Sequence, residues 1–141
     1  GITEIEVSEK KDRIDDSIRA TKAAIDEGVV PGGGKMLLEC YKKMKDFSHV
    51  PKDLRDGYMI VVSALKKPIA QICENNGCPG VEKEVEKYDG WEGYNAKTDS
   101  IRDLQIDGIV DPAKVARVCV ESAVSTSIQV LTSEALIVSD N

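Results

Sequence analysis

The sequence predicts a mainly α-helical protein with short strands at its two ends. Apolar residues recur at steps of three and four along most of the chain, the spacing that aligns side chains on one helix face. Stop signals such as Asn75-Asn76-Gly77 separate these stretches, and alternating apolar residues occur only near the termini. Its 141 residues suffice for one hydrophobic core, which must be aliphatic because aromatic residues make up only 4%.

The first segment predicts a strand followed by a helix. Residues 2–7 alternate loosely between apolar and polar, which favours a short strand. From Glu9 the period changes to that of a helix, which we expect to end near Gly28. One face of this helix carries Ile14, Ile18, Thr21 and Ile25. Residues 29–34 should then interrupt regular structure, so residues 1–27 could form a packing unit distinct from the rest.

The middle of the chain predicts further helices. Residues 36–44 form one helix, with Met36, Leu37, Cys40, Tyr41 and Met44 facing inward. A polar loop precedes a long helix over 52–74, which Pro68 should kink or break. A short helix around 81–85, a loop or hairpin over 89–100 and one helical turn at 101–104 follow.

The last predicted helix runs from Pro112 to about Ser133. Asp111 would cap it, with Pro112 in the first helical position. Apolar residues surround most of its circumference, which predicts a central, buried helix. Residues 135–138 resemble a terminal strand.

Charge and termini restrict the classes of function. Nineteen basic and 25 acidic residues give a formal charge of −6, which argues against a nucleic-acid partner. No apolar run approaches the roughly 18 residues that a membrane span requires. Because the chain starts at Gly1 with neither an initiator Met nor a signal-like segment, we expect it to be a piece of a longer protein.

The cysteines predict neither a metal site nor a disulfide framework. No two of the four form a C-x-x-C pair, and His49 is the only histidine. Cys40 and Cys119 fall within apolar helical patterns, where a free thiol behaves as a small hydrophobe. This favours reduced thiols and a reducing compartment.

Two backbone features could serve either structure or binding. Gly32-Gly33-Gly34 directly precedes a helix, so it could expose N–H groups to an anion or act as a hinge. It does not fit the Walker A pattern, because Met36 follows Lys35 where Ser or Thr is required. Asp111 could cap a helix, or could offer a carboxylate oxygen to a ribose hydroxyl.

Polar side chains elsewhere are equally ambiguous. Asp15 and Asp16 could complement the helix dipole in solvent, or one could orient or deprotonate a water molecule. Asn95 lies in a glycine-rich stretch and could be a turn former or a ligand. Spacing alone does not decide between these interpretations.

Three blocks of the sequence resemble group I (GroEL-type) chaperonins in the family's order and approximate spacing. Residues 10–34 read KKDRIDDSIRATKAAIDEGVVPGGG, residues 93–96 read GYNA, and residues 107–115 read DGIVDPAKV. The similarity extends over essentially the whole chain. It implies a chaperonin equatorial-domain helical bundle, preceded by part of the intermediate domain.

The resemblance also implies a role for individual residues. Asp16 corresponds to the catalytic aspartate of the intermediate domain, which positions the hydrolytic water. The expected nucleotide contacts are Gly33 through its backbone, Asn95 and Ala96 beside the adenine, Ile109 as an apolar neighbour and Asp111 at the ribose. Residues 1–27 would be the C-terminal part of the intermediate domain, and residues 28–141 the C-terminal half of the equatorial domain.

The cofactor and partners implied by the resemblance belong to the full-length protein. They are ATP with magnesium, a homo-oligomer of stacked seven-membered rings, a co-chaperonin and unfolded protein clients. The phosphate loop, the magnesium ligand and the apical domain of the family lie upstream of the residues present, so we expect this chain alone to be inactive. The implied location is the bacterial cytoplasm, the mitochondrial matrix or the plastid stroma.

Some features depart from the family and leave alternatives open. Lys35 replaces a small or apolar residue after the three glycines, which could alter how closely a nucleotide packs. Residues 47–55 differ from common relatives, and no Gly-Met-rich tail follows Asn141. The alternatives are a non-enzymatic helical self-assembly module and a relative that has lost the ATPase cycle.

Overall fold

The structure, a computed structural model, describes residues 3–135, and the prediction of a mainly α-helical fold is confirmed. Its helices are α1 (Glu4–Glu27), α2 (Lys35–Met44), α3 (Arg55–Ala64), α4 (Lys67–Asn75), α5 (Val81–Val85) and α6 (Ala113–Leu131), with a 3₁₀ helix at Lys52–Leu54. Its strands are β1 (Val29–Pro31), β2 (Glu92–Asn95), β3 (Ser100–Asp103) and β4 (Val110–Pro112).

The four strands form two antiparallel ribbons. Strand β1 pairs with β4, with Val30 opposite Asp111, and β2 pairs with β3, with Tyr94 opposite Ile101. The first ribbon joins residues that are far apart in the sequence. It therefore places the glycine-rich segment beside the segment that leads into α6.

A small core lies between α2, α4, α5 and β2. Its buried members are Leu38, Ile69, Cys73, Val85 and Tyr94. Apart from Tyr94 these side chains are aliphatic or a thiol, as the low aromatic content predicts. The four cysteines carry free thiols, and burial raises the pKa of Cys73. None of the helices within residues 3–135 combines the length and apolar character needed to cross a bilayer.

The predicted strand at residues 2–7 is wrong over the described residues 3–7, because α1 already begins at Glu4. Thr3 caps the helix: its hydroxyl accepts from the Glu6 N–H at 3.3 Å, and its own N–H donates to the Glu6 carboxylate at 2.9 Å. This capping box and the acidic first turn outweigh the alternation of Ile5 and Val7. The predicted end of the helix is confirmed, since Gly28 forms the C-cap with φ of 81°.

Two predicted irregular or helical segments are strands. Val29–Pro31 forms β1 rather than breaking regular structure, and residues 100–103 form β3 rather than a helical turn. Strand β1 depends on a partner distant in sequence, and β3 depends on a partner across a turn. Local periodicity reveals neither partner. The predicted break near Pro68 is confirmed, because Pro68 lies in the first turn of α4, after α3 has ended.

The prediction that α6 is central and buried is wrong. None of its residues is buried, and Val130 and Leu131 are 69% and 80% exposed. Together with α3, where Ile60 is 68% exposed, it lines an apolar groove of about 480 Å³. Apolar side chains do surround most of α6, as predicted. The described residues, however, leave one side of this helix exposed.

The predicted Asp111 cap is also wrong, because α6 starts at Ala113 without a side-chain cap. Asp111 belongs to β4, and its backbone is held by pairing with Val30. The inward face of α2 is shifted as well, since its buried residues are Lys35 and Leu38. The predicted terminal strand over 135–138 lies outside the described residues except for Ala135.

Replacing Gly34 with Ala should destabilise the fold by about 2–4 kcal/mol. Gly34 has φ of 76°, and a Cβ atom there would lie 2.8 Å from the backbone nitrogen of Ile69. Gly57→Ala is the matched control, because a Cβ atom at Gly57 in α3 meets nothing within 4 Å. The control should be neutral or stabilise by about 0.5–1 kcal/mol. Urea unfolding followed by circular dichroism measures both, and equal effects would contradict the role of Gly34.

Candidate functional site

The glycine turn, residues 32–34, connects β1 to α2 and packs tightly on the segment before β4. The Gly32 N–H donates to the Ile109 carbonyl at 3.0 Å, and a Cβ atom at Gly32 would lie 3.1 Å from that carbonyl. The Lys35 N–H donates to the Gly32 carbonyl at 3.1 Å and closes the turn. Gly33, with φ of 62°, adopts a left-handed conformation that glycine tolerates best.

Gly33 lies where the two ribbons meet. A Cβ atom at Gly33 would be 3.9 Å both from Cγ2 of Ile109 and from the carbonyl oxygen of Tyr94. Tyr94 immediately precedes Asn95 at the end of β2. The structure therefore brings Gly33, Ile109 and the start of the Asn95 turn into close proximity, although they are far apart in the sequence.

Asn95 is buried and shapes the turn between β2 and β3. Its Nδ2 donates to the Asp107 carboxylate at 2.7 Å, and its Oδ1 accepts from the N–H groups of Lys97 and Thr98 at 3.0 and 3.4 Å. One amide N–H is left over from this set. The side chain thus acts mainly as a turn former, and it presents Ala96, which is half-buried against the core.

Asp111 lies on β4, two residues beyond Ile109. Among residues 3–135, no hydrogen bond or ion pair engages its carboxylate. Partial burial of the group raises the pKa of Asp111. Its backbone pairing with Val30, two residues before Gly32, fixes it near the glycine turn. An acceptor of this kind can bind hydroxyl groups of a ligand.

Asp16 is not brought to this site. It lies exposed on α1, in a groove that Cys119 and Ser122 of α6 also line. Gly28 follows Asp16 by twelve positions, which is about 18 Å along the axis at the usual rise per residue. The described arrangement therefore places Asp16 well away from the glycine turn.

Ion pairs join the C-terminal end of α1 to α6. Lys114 Nζ lies 2.7 Å from Asp26 Oδ2, and Arg117 approaches both carboxylate oxygens of Glu27, at 2.5 and 3.2 Å. Hydrogen bonding to Arg117 lowers the pKa of Glu27. These contacts fix the direction in which α1 leaves the rest of the fold.

Lys35 does not point toward a ligand at the glycine turn. Its side chain is fully buried, and its ammonium donates to the Tyr88 carbonyl at 2.7 Å and pairs with Glu39 at 2.8 Å. The sequence showed that Lys35 departs from the family pattern, but it did not show that the side chain points into the core. The signal that was available is its spacing from Leu38, which places both residues on one helix face.

A polar cluster beside Asn95 was not foreseen from the sequence. The Tyr94 hydroxyl donates to Asp99 Oδ1 at 2.7 Å and accepts from Asn76 Nδ2 at 2.5 Å, and Cys78 Sγ lies 3.3 Å from the same Asp99 oxygen. The hydrogen bond to Asp99 raises the pKa of Tyr94 to about 12 and lowers the pKa of Asp99. The cluster holds the hairpin that carries Asn95 and Ala96 against the end of α4.

Comparison with known proteins defines the class of the fold as that of a chaperonin. A solved structure described as "Crystal structure of group III chaperonin in the open state" matches with a TM-score of 0.73 and 29% sequence identity. The match covers 82% of this chain but only 25% of that one, so this chain corresponds to about a quarter of the other protein. The model of the TCP-1/cpn60 chaperonin family matches residues 1–141. The chain belongs to that family.

The Tyr94–Asp99 hydrogen bond predicts a loss of stability at high pH. Because the folded-state pKa of Tyr94, about 12, exceeds the ordinary value of 10.0, its contribution is complete below pH 10 and is lost as pH rises toward 12. Tyr94→Phe should flatten this part of the profile, as should Asp99→Asn. The urea midpoint measured at several pH values tests this, and equal slopes in wild type and Tyr94→Phe would contradict it.

Proposed function

We propose that this chain is the C-terminal part of a group I, ATP-dependent chaperonin, and that it supplies about half of the ATP site. The observation that carries the proposal is the proximity of Gly33 to Ile109 and to the Tyr94 carbonyl, just before the Asn95-Ala96 turn, together with the pairing of Asp111 with Val30 beside the glycine turn. Binding and hydrolysis would require the rest of the polypeptide, and this chain alone would be inactive.

The groups at this junction fit a nucleotide. The Gly33 N–H donates to no backbone carbonyl within residues 3–135 and so can serve an anionic or polar ligand. The Asp111 carboxylate suits ribose hydroxyls, and Ile109 and Ala96 offer apolar surface to a purine. Residues outside this chain would form the phosphate-binding loop and hold the magnesium ion. The ion would neutralise part of the phosphate charge.

Asp16 would act as the catalytic residue that orients the attacking water. Its position on α1, about 18 Å along the helix from Gly28, means that α1 must move relative to the glycine turn before hydrolysis. Such a separation would make hydrolysis wait for a conformational closure. In this proposal residues 1–27 belong to the intermediate domain and residues 28–141 to the equatorial domain.

The full-length protein would work as a protein-folding machine. Family membership and the match to a solved chaperonin support this role, while the blocks at 10–34, 93–96 and 107–115 support the group I assignment. It would assemble into stacked seven-membered rings, with a co-chaperonin and unfolded clients as partners. The compartment would be the bacterial cytoplasm, the mitochondrial matrix or the plastid stroma. Client refolding by the full-length protein without a co-chaperonin would contradict the group I assignment.

An alternative function is non-enzymatic self-assembly through helices. The apolar groove between α3 and α6 is the observation that favours it. Sedimentation of the full-length protein with and without ATP separates the two functions. Assembly with no measurable nucleotide binding would favour the alternative over the ATPase.

Replacing Asp111 with Ala in the full-length protein should weaken ATP and ADP binding by about 10- to 100-fold. The reason is the loss of a charged acceptor for the ribose hydroxyls. Isothermal titration calorimetry measures the change. Asp53→Ala is the control, since Asp53 is exposed on the 3₁₀ helix at Lys52–Leu54. Affinities unchanged by Asp111→Ala would remove this residue from the site.

Replacing Asp16 with Ala should separate binding from catalysis. ATP affinity should stay within about twofold, while the hydrolysis rate falls by about 10²- to 10⁴-fold because the water loses its orienting group. Asp15→Ala, at the neighbouring exposed position of α1, should leave the rate nearly unchanged. A phosphate-release assay measures turnover, and a wild-type rate for Asp16→Ala would exclude the role given to this residue.

A further inference from the structure

Lys35 has an unusual environment for a lysine. It is the first residue of α2, directly after the glycine turn, and its side chain has no solvent exposure. A buried ammonium is tolerated only when it is paired and hydrogen-bonded. Its partners therefore show what the residue holds in place.

The ammonium of Lys35 binds the carboxyl end of α5 and the turn that follows it. It donates to the Tyr88 carbonyl at 2.7 Å and to the Val85 carbonyl at 3.4 Å, and it pairs with Glu39 one turn further along α2. Carbonyl groups at a helix C-terminus lack partners within the helix and favour a cation. Lys35 thus fixes the end of α5 to the start of α2.

Lys42 supports the same network from the next turns of α2. Its ammonium donates to the Tyr88 carbonyl at 2.9 Å, lies 3.1 Å from Glu39 Oε1 and pairs with Asp89. Hydrogen bonds to Asp89 and Glu39 offset the burial of this group and raise the pKa of Lys42. Two cations therefore hold the chain at Tyr88, just before it enters β2.

The aliphatic stem of Lys35 contacts the other half of the candidate site. A Cβ atom at Gly93 in β2 would lie 3.4 Å from Lys35 Cγ. Gly93 is two residues before Asn95. The Lys35 backbone closes the glycine turn, and its side chain supports the strand that leads to the Asn95 turn.

We propose that Lys35 is a positioning residue for the nucleotide, which sets the separation between Gly33 and the Asn95-Ala96 turn. It does so without touching the ligand, because its ammonium lies at the opposite end of the stem, on the carbonyls of Val85 and Tyr88. This inference rests on the proposed ATP site. It predicts an effect on nucleotide affinity that exceeds the effect of a comparable loss of stability elsewhere.

Lys35→Met in the full-length protein is the main test. The substitution keeps an unbranched stem against Gly93 but removes the cation that holds Val85 and Tyr88. The dissociation constant for ADP and the KM for ATP should rise by about tenfold, because a small displacement of a positioning contact is costly. The kcat should stay within about twofold, since Asp16 lies on a different helix. Lys35→Arg, which retains a cation, should recover most of the affinity.

Val62→Ala is the control for general destabilisation. Val62 is buried in α3, away from the Lys35 network, and its truncation should lower the melting temperature without changing the dissociation constant. A Val62→Ala effect on affinity equal to that of Lys35→Met would overturn the proposal. Unchanged affinity in Lys35→Met would also overturn it.

Glu39→Gln provides a second variant if Lys35→Met does not fold. It leaves the carbonyl contacts of Lys35 but removes the charge that both ammonium groups share, so the ADP dissociation constant should rise by about two- to threefold. An unchanged constant in Glu39→Gln would count against the proposal. Absence of nucleotide binding in the wild-type protein would instead refute the proposed ATP site, and this inference with it.

Discussion

The candidate site depends on the pairing of β1 with β4. This short ribbon is extended at both ends, by the Gly32 N–H to the Ile109 carbonyl and by the Ala113 N–H to the Gly28 carbonyl at 3.0 Å. It joins the end of α1, the glycine turn and the start of α6 in one place. Without it, Gly33 and Asp111 would have no fixed relation, because the segments that carry them contact each other through this backbone pairing.

Local sequence signals determined what could be predicted of the fold. The helical period, the glycine at position 28 and the proline at position 68 act within a few residues, and the helices they mark are present. The strand β1 could not be foreseen, because its partner β4 is distant in sequence. The hairpin predicted as one alternative over 89–100 is present, but its second strand lies at Ser100–Asp103. The N-terminal error differs, since Thr3 and Glu6 form a capping box that the sequence alone shows.

The site was predicted by resemblance rather than by spacing. The predicted site residues are far apart in the sequence, and only the family pattern linked them. They are Gly33, Asn95, Ala96, Ile109 and Asp111. The structure adds that Asn95 is mostly engaged with Asp107 and its own turn. It also shows that Lys35 faces the interior, which charge alone would not have suggested. The error on α6 has a related cause, because periodicity reports an apolar surface but not which segment covers it.

The exposed ion pairs at the C-terminal end of α1 determine how firmly this helix is attached to α6. A helix of 24 residues is stiff along its length, but its base is joined through Gly28 and held by charges that water and salt can screen. Exposed ion pairs of this kind orient α1, but they contribute little free energy and oppose its displacement only weakly. Higher ionic strength should therefore weaken the attachment of α1 to α6 and leave the helix itself intact.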